Sequence, residues 1–168
     1  MTGRGGDAAA MVKIDIAVQS ALWRQTPSAR QTVRRAIAAA AAGNETDLQG
    51  DVSVMLTDDE AIRTLNRQWR GQDRPTNVLS FPAPLPVCYA GGARVSLGDI
   101  AIAYETVARE AEAEGKPFEH HLAHLAVHGF LHLVGFDHES DHDAEAMEQR
   151  ERDILARLDV PDPYARAG

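Results

Sequence analysis

Cysteine is almost missing from this chain, and long apolar runs are missing altogether. Cys88 is the one cysteine among 168 residues, which excludes an internal disulfide and is typical of a reducing compartment. No apolar run is long enough to cross a bilayer. The first eleven residues, MTGRGGDAAAM, lack the apolar segment that a signal peptide carries before its small residues. The sequence therefore predicts a cytoplasmic protein without a membrane partner.

Basic residues are outnumbered by acidic ones, 17 to 25, and the net charge is −8. This balance argues against a nucleic-acid partner, because phosphate binding normally requires a basic surface. The distribution weakens that argument, since residues 16–44 and 61–72 contain arginines and no acid. These arginines are Arg24, Arg30, Arg34 and Arg35 in the first stretch and Arg63, Arg67 and Arg70 in the second. Both a local basic surface and ordinary solvated helix faces are consistent with the pattern.

Strand-like and helix-like patterns alternate along the chain. We predict strands at residues 11–18, 51–56, 78–81 and 98–103, and an irregular loop at 82–94. We predict five helices. The first lies between Thr26 and Gly43, and the second follows a capping box of Thr57 and Glu60. The others lie at 104–114, at 117–134 and between Ser140 and Pro161. The second helix carries Ile62, Leu65 and Trp69 on one apolar face.

These elements predict an α/β (α+β) fold of one domain, with a small mixed four-stranded sheet and about five helices. We expect residues 1–10 to form a disordered extension, residues 11–160 to form the domain, and residues 161–168 to form a C-terminal tail.

The stretch HGFLHLVGFDH, residues 128–138, has the spacing of a metal site. His128 and His132 are four residues apart on a predicted helix, so their side chains lie on the same face. Gly135 allows the chain to turn back, which lets His138 reach the same ion. Three imidazoles with an open fourth position are typical of a catalytic zinc. We therefore predict one Zn²⁺ per chain and no small organic cofactor, although such sites also take nickel, copper or iron.

Other histidines and acids near this stretch have weaker claims. His120, His121 and His124 extend the histidine face upstream, and we interpret them as helix-surface residues or as hydrogen-bond partners of the ligands. Asp137 and Asp141 could likewise orient a ligand imidazole, or they could solvate the loop and cap the next helix. Among these residues we single out His124 and Asp137 as candidates for supporting the ligands.

A glycine occupies the position where a zinc protease carries its catalytic glutamate. Zinc lowers the pKa of a bound water to about 7, which makes hydrolysis the expected chemistry. The HExxH pattern of zinc proteases supplies a proton-transferring glutamate, whereas Gly129 can act neither as an acid nor as a base. Peptide hydrolysis by that route is disfavoured. An arginine that stabilises the developing negative charge would suit a phosphodiester better than an amide.

Three blocks of the sequence resemble the bacterial YbeY family of single-strand-specific endoribonucleases and rRNA maturation factors. HGFLHLVGFDH resembles that family's HGxLHLxGYDH, with Phe136 where tyrosine is common. LNRQWRGQDRPTNVLSFP at 65–82 and LGDIAIA at 97–103 resemble two further family segments. Together the resemblance extends over about residues 48–158.

The resemblance implies a zinc ion bound by His128, His132 and His138, and an active-site arginine at Arg70 that contacts the scissile phosphate. It also implies an rRNA substrate, 16S rRNA processing, and ribosome quality control in contact with the ribosome and ribosomal proteins. From the residues alone, the preferred interpretation of Arg70 is an exposed arginine at a helix end that bonds the last carbonyls. Thr76, Asn77 and Ser80 could contact phosphate or sugar, or they could form the turn and cap the strand.

Two other functions remain open at this point. A metalloprotease with an unusual base would cleave unstructured peptides without needing Arg70. An rRNA-binding assembly factor would keep zinc mainly for stability and would have little nuclease activity. The nucleophile is also open, because zinc-bound water and the neighbouring ribose 2′-OH leave different RNA ends.

Overall fold

The computed structural model describes residues 12–42, 50–84, 96–137 and 139–165. These residues form four strands, five α-helices and one short 3₁₀ helix at Ala21–Gln25. The strands are β1 (Val12–Val18), β2 (Gly50–Thr57), β3 (Val78–Pro82) and β4 (Ser96–Ala103). The helices are α1 (Ala29–Ala42), α2 (Asp59–Arg70), α3 (Tyr104–Glu114), α4 (Phe118–Leu133) and α5 (Asp141–Arg157). The predicted fold class, with its mixed four-stranded sheet and five helices, is confirmed.

The sheet has the order β1-β2-β4-β3, with β1, β2 and β4 parallel and β3 antiparallel to β4. The second halves of the two central strands, β2 and β4, are covered on both faces. Their buried apolar residues include Leu56, Ile100 and Ile102. Such apolar runs are typical of parallel strands covered on both sides. The antiparallel strand β3 lies at the sheet edge, where Pro82 costs no central hydrogen bond.

The central helix α4 packs against α1, α3 and α5 and against strands β3 and β4. It is apolar around most of its circumference, with Leu122, Ala126, Val127, Phe130 and Leu131 fully buried. A helix of this kind is stable only inside a protein core. Its histidines therefore project from a rigid element, and α4 sets their mutual positions.

Several predicted boundaries differ from the structure in informative ways. Asp58, not Thr57, caps α2: its side chain accepts a hydrogen bond from the backbone N–H of Ala61, while Thr57 still belongs to β2. Trp69 ends the predicted apolar face of α2 but is 70% exposed, so the buried part of that face stops before the end of the helix. The last helix ends at Arg157, before Pro161 is reached.

Some predictions fall on residues outside the described ranges. These are the N-terminal extension at 1–10, most of the loop at 82–94 with Cys88, and His138. No helix within the described part of the chain is both long and apolar enough to cross a bilayer.

Candidate metal centre and adjoining cavities

His128 and His132 lie one turn apart on α4 with their rings close together. The Nε2 atoms of the two imidazoles are 3.1 Å apart, and the ring centroids are separated by 4.6 Å. Zinc binds imidazole nitrogen at about 2.0–2.1 Å with tetrahedral angles, so two ligand nitrogens on one ion lie about 3.3 Å apart. The observed spacing and orientation of these two nitrogens therefore fit two ligands of one metal ion.

The other ring nitrogen of His128 contacts a buried acid that projects from α5. Nδ1 of His128 lies 2.8 Å from Oε1 of Glu151, and Nε2 of His124 lies 3.0 Å from Oε2 of Glu151. The hydroxyl of Tyr164 donates to the same carboxylate at 2.5 Å. Glu151 itself is fully buried. Three hydrogen bonds thus converge on one carboxylate inside the core.

The pKa values show that this carboxylate is ionised and that its tyrosine partner is not. Burial alone would raise the pKa of Glu151, but the hydrogen bonds from His124, His128 and Tyr164 outweigh it and lower the pKa to about 2. Burial and the nearby carboxylate raise the pKa of the Tyr164 hydroxyl far above its usual range. An ionised carboxylate only accepts hydrogen bonds, so Nδ1 of His128 must carry the proton. The Nε2 lone pair of His128 is then directed towards His132 and not towards Glu151.

Two sets of donor atoms could hold a metal ion. One is the pair of Nε2 atoms on His128 and His132. The other is His124, His128 and Glu151, whose ligand atoms all lie within 4.8 Å of one another. The second set would use the nitrogens that now donate to Glu151, so a metal there would have to displace those protons. The first set leaves the hydrogen bonds to Glu151 intact, which is the usual arrangement of a metal-bound histidine with a carboxylate behind it.

A cavity of about 560 Å³ connects the two histidines with Arg70; we call it the arginine cavity. Its other lining residues are Thr76, Asn77, Val78, Leu79, Ser80, Pro82, Gly135, Phe136 and Asp137. Arg70 is the last residue of α2, and Gly71 follows it in the left-handed conformation at φ 69°. A residue with a side chain would be strained at that angle. The glycine thus turns the chain sharply at the point where Arg70 reaches the cavity.

Gly129 explains why no glutamate stands beside His128. A Cβ atom at this position would lie 3.2 Å from each of Ile100 Cγ2, Ser80 Oγ and Val78 Cγ2. The helix therefore packs directly against strands β3 and β4, and a glutamate would not fit without moving them. The hydroxyl of Ser80 also donates to the carbonyl oxygen of Gly129 at 2.9 Å.

The predicted substrate-binding residues all line the arginine cavity, but two of them already have partners. Asn77 donates from Nδ2 to Glu110 Oε1 at 2.9 Å and accepts from its neighbour Val78 N at 2.6 Å. Ser80 donates to Gly129, as described. These bonds favour strand-capping roles for the two side chains, while Thr76 lies in the cavity wall.

A second cavity, of about 390 Å³, lies on the other side of His128; we call it the acidic cavity. Glu110, Glu114, His121, His124 and Tyr164 are among its lining residues. His121, interpreted from the sequence as a surface or supporting residue, is only 5% exposed, and its Nε2 lies 2.8 Å from Glu110 Oε1.

The comparison with known families identifies the family of this chain. The family model described as "Endoribonuclease YbeY" matches residues 16–159. The chain belongs to the endoribonuclease YbeY family. This membership supports an RNA-cleaving hydrolase, and the resemblance seen in the sequence is confirmed.

Curated members of the YbeY family are similar over most of their length. A protein named Endoribonuclease YbeY from Rhodopseudomonas palustris strain CGA009 is 59% identical to this chain. The match covers 90% of this chain and 80% of the length of that protein. A protein of the same name from Bradyrhizobium diazoefficiens is 57% identical, and the match covers 90% of this chain and 84% of the length of that protein. The solution structure of TM1509 from Thermotoga maritima is 26% identical, with a TM-score of 0.51 over 91% of this chain and 99% of that one.

Sequence reasoning missed Glu151 and Tyr164. A signal for Glu151 was present, because it lies on the apolar stripe of α5 between Met147 and Ile154. An acid on a buried stripe must be paired. Tyr164 lies in the stretch predicted to be a tail, and its position over His124, with ring centroids 5.5 Å apart, depends on tertiary structure.

The two residues predicted to support the ligands have different surroundings. His124 lies next to His128 and shares Glu151 with it. Asp137 lines the arginine cavity and accepts a hydrogen bond from the backbone N–H of Glu139 at 3.2 Å.

Proposed function

We propose that this protein is a zinc-dependent endoribonuclease that cuts single-stranded RNA during 16S rRNA 3′-end maturation. The observation that carries this proposal is the arginine cavity, in which Arg70, His128 and His132 face one space of about 560 Å³. A cation-binding pair of imidazoles opposite a guanidinium suits a phosphodiester, whose oxygens are negatively charged. Membership of the YbeY family supports RNA as the substrate.

The metal site that we propose uses Nε2 of His128 and Nε2 of His132, with His138 as the third ligand expected from the sequence. Glu151 lies behind it and would hold His128 in the required tautomer, and His124 bonds the other oxygen of the same carboxylate. Zinc bound there would act as a Lewis acid on a phosphate oxygen and would lower the pKa of a coordinated water. Asp137 lines the same cavity and is assigned a supporting role.

Arg70 is assigned to the scissile phosphate. Its guanidinium can donate two parallel hydrogen bonds to phosphate oxygens and offset the charge that grows as the bond breaks. Thr76 is best placed to contact phosphate or ribose, since Asn77 and Ser80 also hold the strand in place. The chemical groups at the ends of the cleaved RNA distinguish attack by the ribose 2′-OH from attack by water. A cyclic phosphate with a 5′-hydroxyl indicates attack by the 2′-OH.

The cellular role that we propose follows from the family resemblance. The enzyme would work in the cytoplasm on rRNA, in contact with the ribosome and ribosomal proteins, and would take part in ribosome quality control. A peptidase role is disfavoured because the position of the catalytic glutamate is filled by Gly129, against which Ser80 and Ile100 pack.

The experiment that tests the proposal pairs metal content with cleavage of a single-stranded RNA made from a 16S rRNA 3′ end. We expect wild type to bind one zinc and to cut, and His132→Ala to lose both properties. Arg70→Ala should keep its zinc and cut about 100- to 1000-fold more slowly, as expected for the loss of one charge-stabilising donor. His142→Ala and Arg157→Ala, both exposed on α5, are matched controls that should behave like wild type.

Two outcomes would contradict the proposal. Equal cutting by all preparations, or none by any, would favour an assembly factor in which zinc mainly stabilises the fold. Loss of zinc from His124→Ala as complete as from His132→Ala would place the metal in the group that includes Glu151.

A further inference from the structure

The two tryptophans of the chain have opposite environments. Trp23 is 3% exposed, donates from Nε1 to the carbonyl of Thr57 at 2.8 Å and packs edge-on against Tyr104 and Phe118. Trp69 is 70% exposed, the largest exposure among the large apolar side chains described in the structure. Trp23 is thus a core residue, whereas most of the Trp69 ring faces solvent.

Trp69 is exposed but not loosely attached. It lies in the last turn of α2, and its ring centroid is 6.1 Å from that of Phe81 on β3, with the rings inclined at 62°. Phe81 is itself half-buried in the sheet. Phe81 therefore supports the indole along one side and leaves the rest of its surface accessible. A flat aromatic ring fixed in this way can bind another flat ring at low entropic cost.

The segment that carries Trp69 is rich in arginine on a chain that is acidic overall. Residues 61–74 contain four arginines and one aspartate, although the net charge of the chain is −8. Arg70 is the next residue after Trp69 and lines the arginine cavity together with Pro82. A ligand that is flat where it meets Trp69 and anionic where it meets Arg70 would match both features.

We propose that Trp69 is a stacking platform for one unpaired nucleobase of the RNA, close to the phosphate held by Arg70. The chemical class of the ligand is a purine or pyrimidine ring in single-stranded RNA. In a duplex both faces of each internal base are covered by its neighbours, so only an unpaired base offers a free face to the indole. The platform would thus be a structural origin of single-strand preference. The proposal rests on the proposed function only in taking RNA as the substrate.

Stacking makes a prediction that separates it from a purely structural role. Trp69→Leu keeps an apolar side chain but removes the aromatic face, and we expect it to weaken binding of single-stranded RNA on the order of 10- to 100-fold. Trp69→Phe keeps a smaller aromatic face and should restore most of the affinity. Val18→Ala, which removes an exposed apolar residue at the end of β1, is the matched control and should bind like wild type.

The test is a fluorescence titration of the metal-loaded protein with a ten-nucleotide 2′-O-methyl oligoadenylate, free or paired with its complement. Strand integrity is checked on a gel after each titration. Trp69 should be quenched by the single strand and not by the duplex, while the signal of Trp23, measured alone in Trp69→Leu, should stay constant.

Two results would overturn the platform and can be told apart. Equal binding by wild type and Trp69→Leu, with wild-type cleavage intact, would overturn the platform and leave the proposed function standing. Failure of wild type both to bind and to cut RNA would overturn the platform and the proposed function together.

Discussion

Two acidic residues of the chain, Glu151 and Asp73, both accept hydrogen bonds from basic side chains, but their surroundings differ sharply. Glu151 is fully buried and receives hydrogen bonds from His124, His128 and Tyr164. Asp73 follows α2 and accepts from Arg63 at 2.8 Å, but its side chain is 52% exposed. Hydrogen bonds lower the pKa of both carboxyl groups. A lowered pKa alone therefore does not distinguish a buried carboxylate that supports a candidate metal ligand from an exposed carboxylate in a surface ion pair.

Burial is what gives Glu151 its influence on the neighbouring imidazoles. Inside the core, an unpaired donor or acceptor costs the full loss of hydration, so Glu151 and its three partners hold one another in a single arrangement. At Asp73 water replaces any lost partner at little cost. We therefore expect substitutions at the Glu151 cluster to alter metal binding, and substitutions at Asp73 to leave it unchanged.

The largest effect is expected for Glu151→Gln. Glutamine keeps the volume but offers one acceptor and one donor group where the carboxylate offered two acceptors, so it cannot accept from both His124 and His128. Loss of such a carboxylate behind a metal-bound histidine typically weakens metal binding about 10- to 100-fold. Competition with a chelator measures the zinc affinity, and thermal unfolding of the metal-free protein shows that the variant folds.

The matched control for this substitution is Glu148→Gln, one turn earlier on the same helix with a side chain 37% exposed. It should bind zinc like wild type. A Glu151→Gln protein that is folded and retains wild-type zinc affinity would show that the carboxylate does not orient His128.

A smaller effect is expected for Tyr164→Phe. This change removes the hydroxyl that donates to Glu151 at 2.5 Å while keeping the ring against His124. A hydrogen bond to a charged group contributes about 1.5–3 kcal/mol, and Glu151 keeps its two histidine partners. The unfolding midpoint in urea should fall, and zinc affinity should fall less than in Glu151→Gln. Equal losses in the two variants would mean that Tyr164 positions the site directly.

Much of the fold could be predicted because local patterns and tertiary structure agree. Apolar and polar residues alternate along β1, which is buried on one face, and apolar residues follow one another in the second half of β4, which is buried on both faces. Gly115 ends α3 as a left-handed residue at φ 66°. The cap of α2 was placed one residue early because Thr57 and Asp58 are both good caps, and only the length of β2 decides between them. Trp69 continues the apolar spacing of α2 and is nevertheless exposed, because spacing along a helix does not show which of its residues a neighbouring element covers.

The site was predictable only where its residues are close in sequence. His128 and His132 lie on one helical turn, so spacing alone brings them together. Glu151 and Tyr164 reach His128 and His124 from α5 and the segment after it, and that approach depends on how α5 packs on α4. Spacing along the chain contains no information on this packing.

The smallest effect on stability is expected for Asp73→Asn. We compare this variant with Glu151→Gln by acid unfolding of the metal-free protein. The pKa of Glu151 is lowered from 4.5 to about 2, so its ionisation stabilises the fold fully above about pH 4.5. That stabilisation, roughly 3 kcal/mol, is lost as the pH falls towards 2. Urea midpoints between pH 6 and pH 2.5 should therefore decline steeply in wild type and Asp73→Asn but less in Glu151→Gln. If Asp73→Asn flattened the profile instead, the exposed carboxylate would be the one that controls acid stability, and burial would not be what separates the two groups.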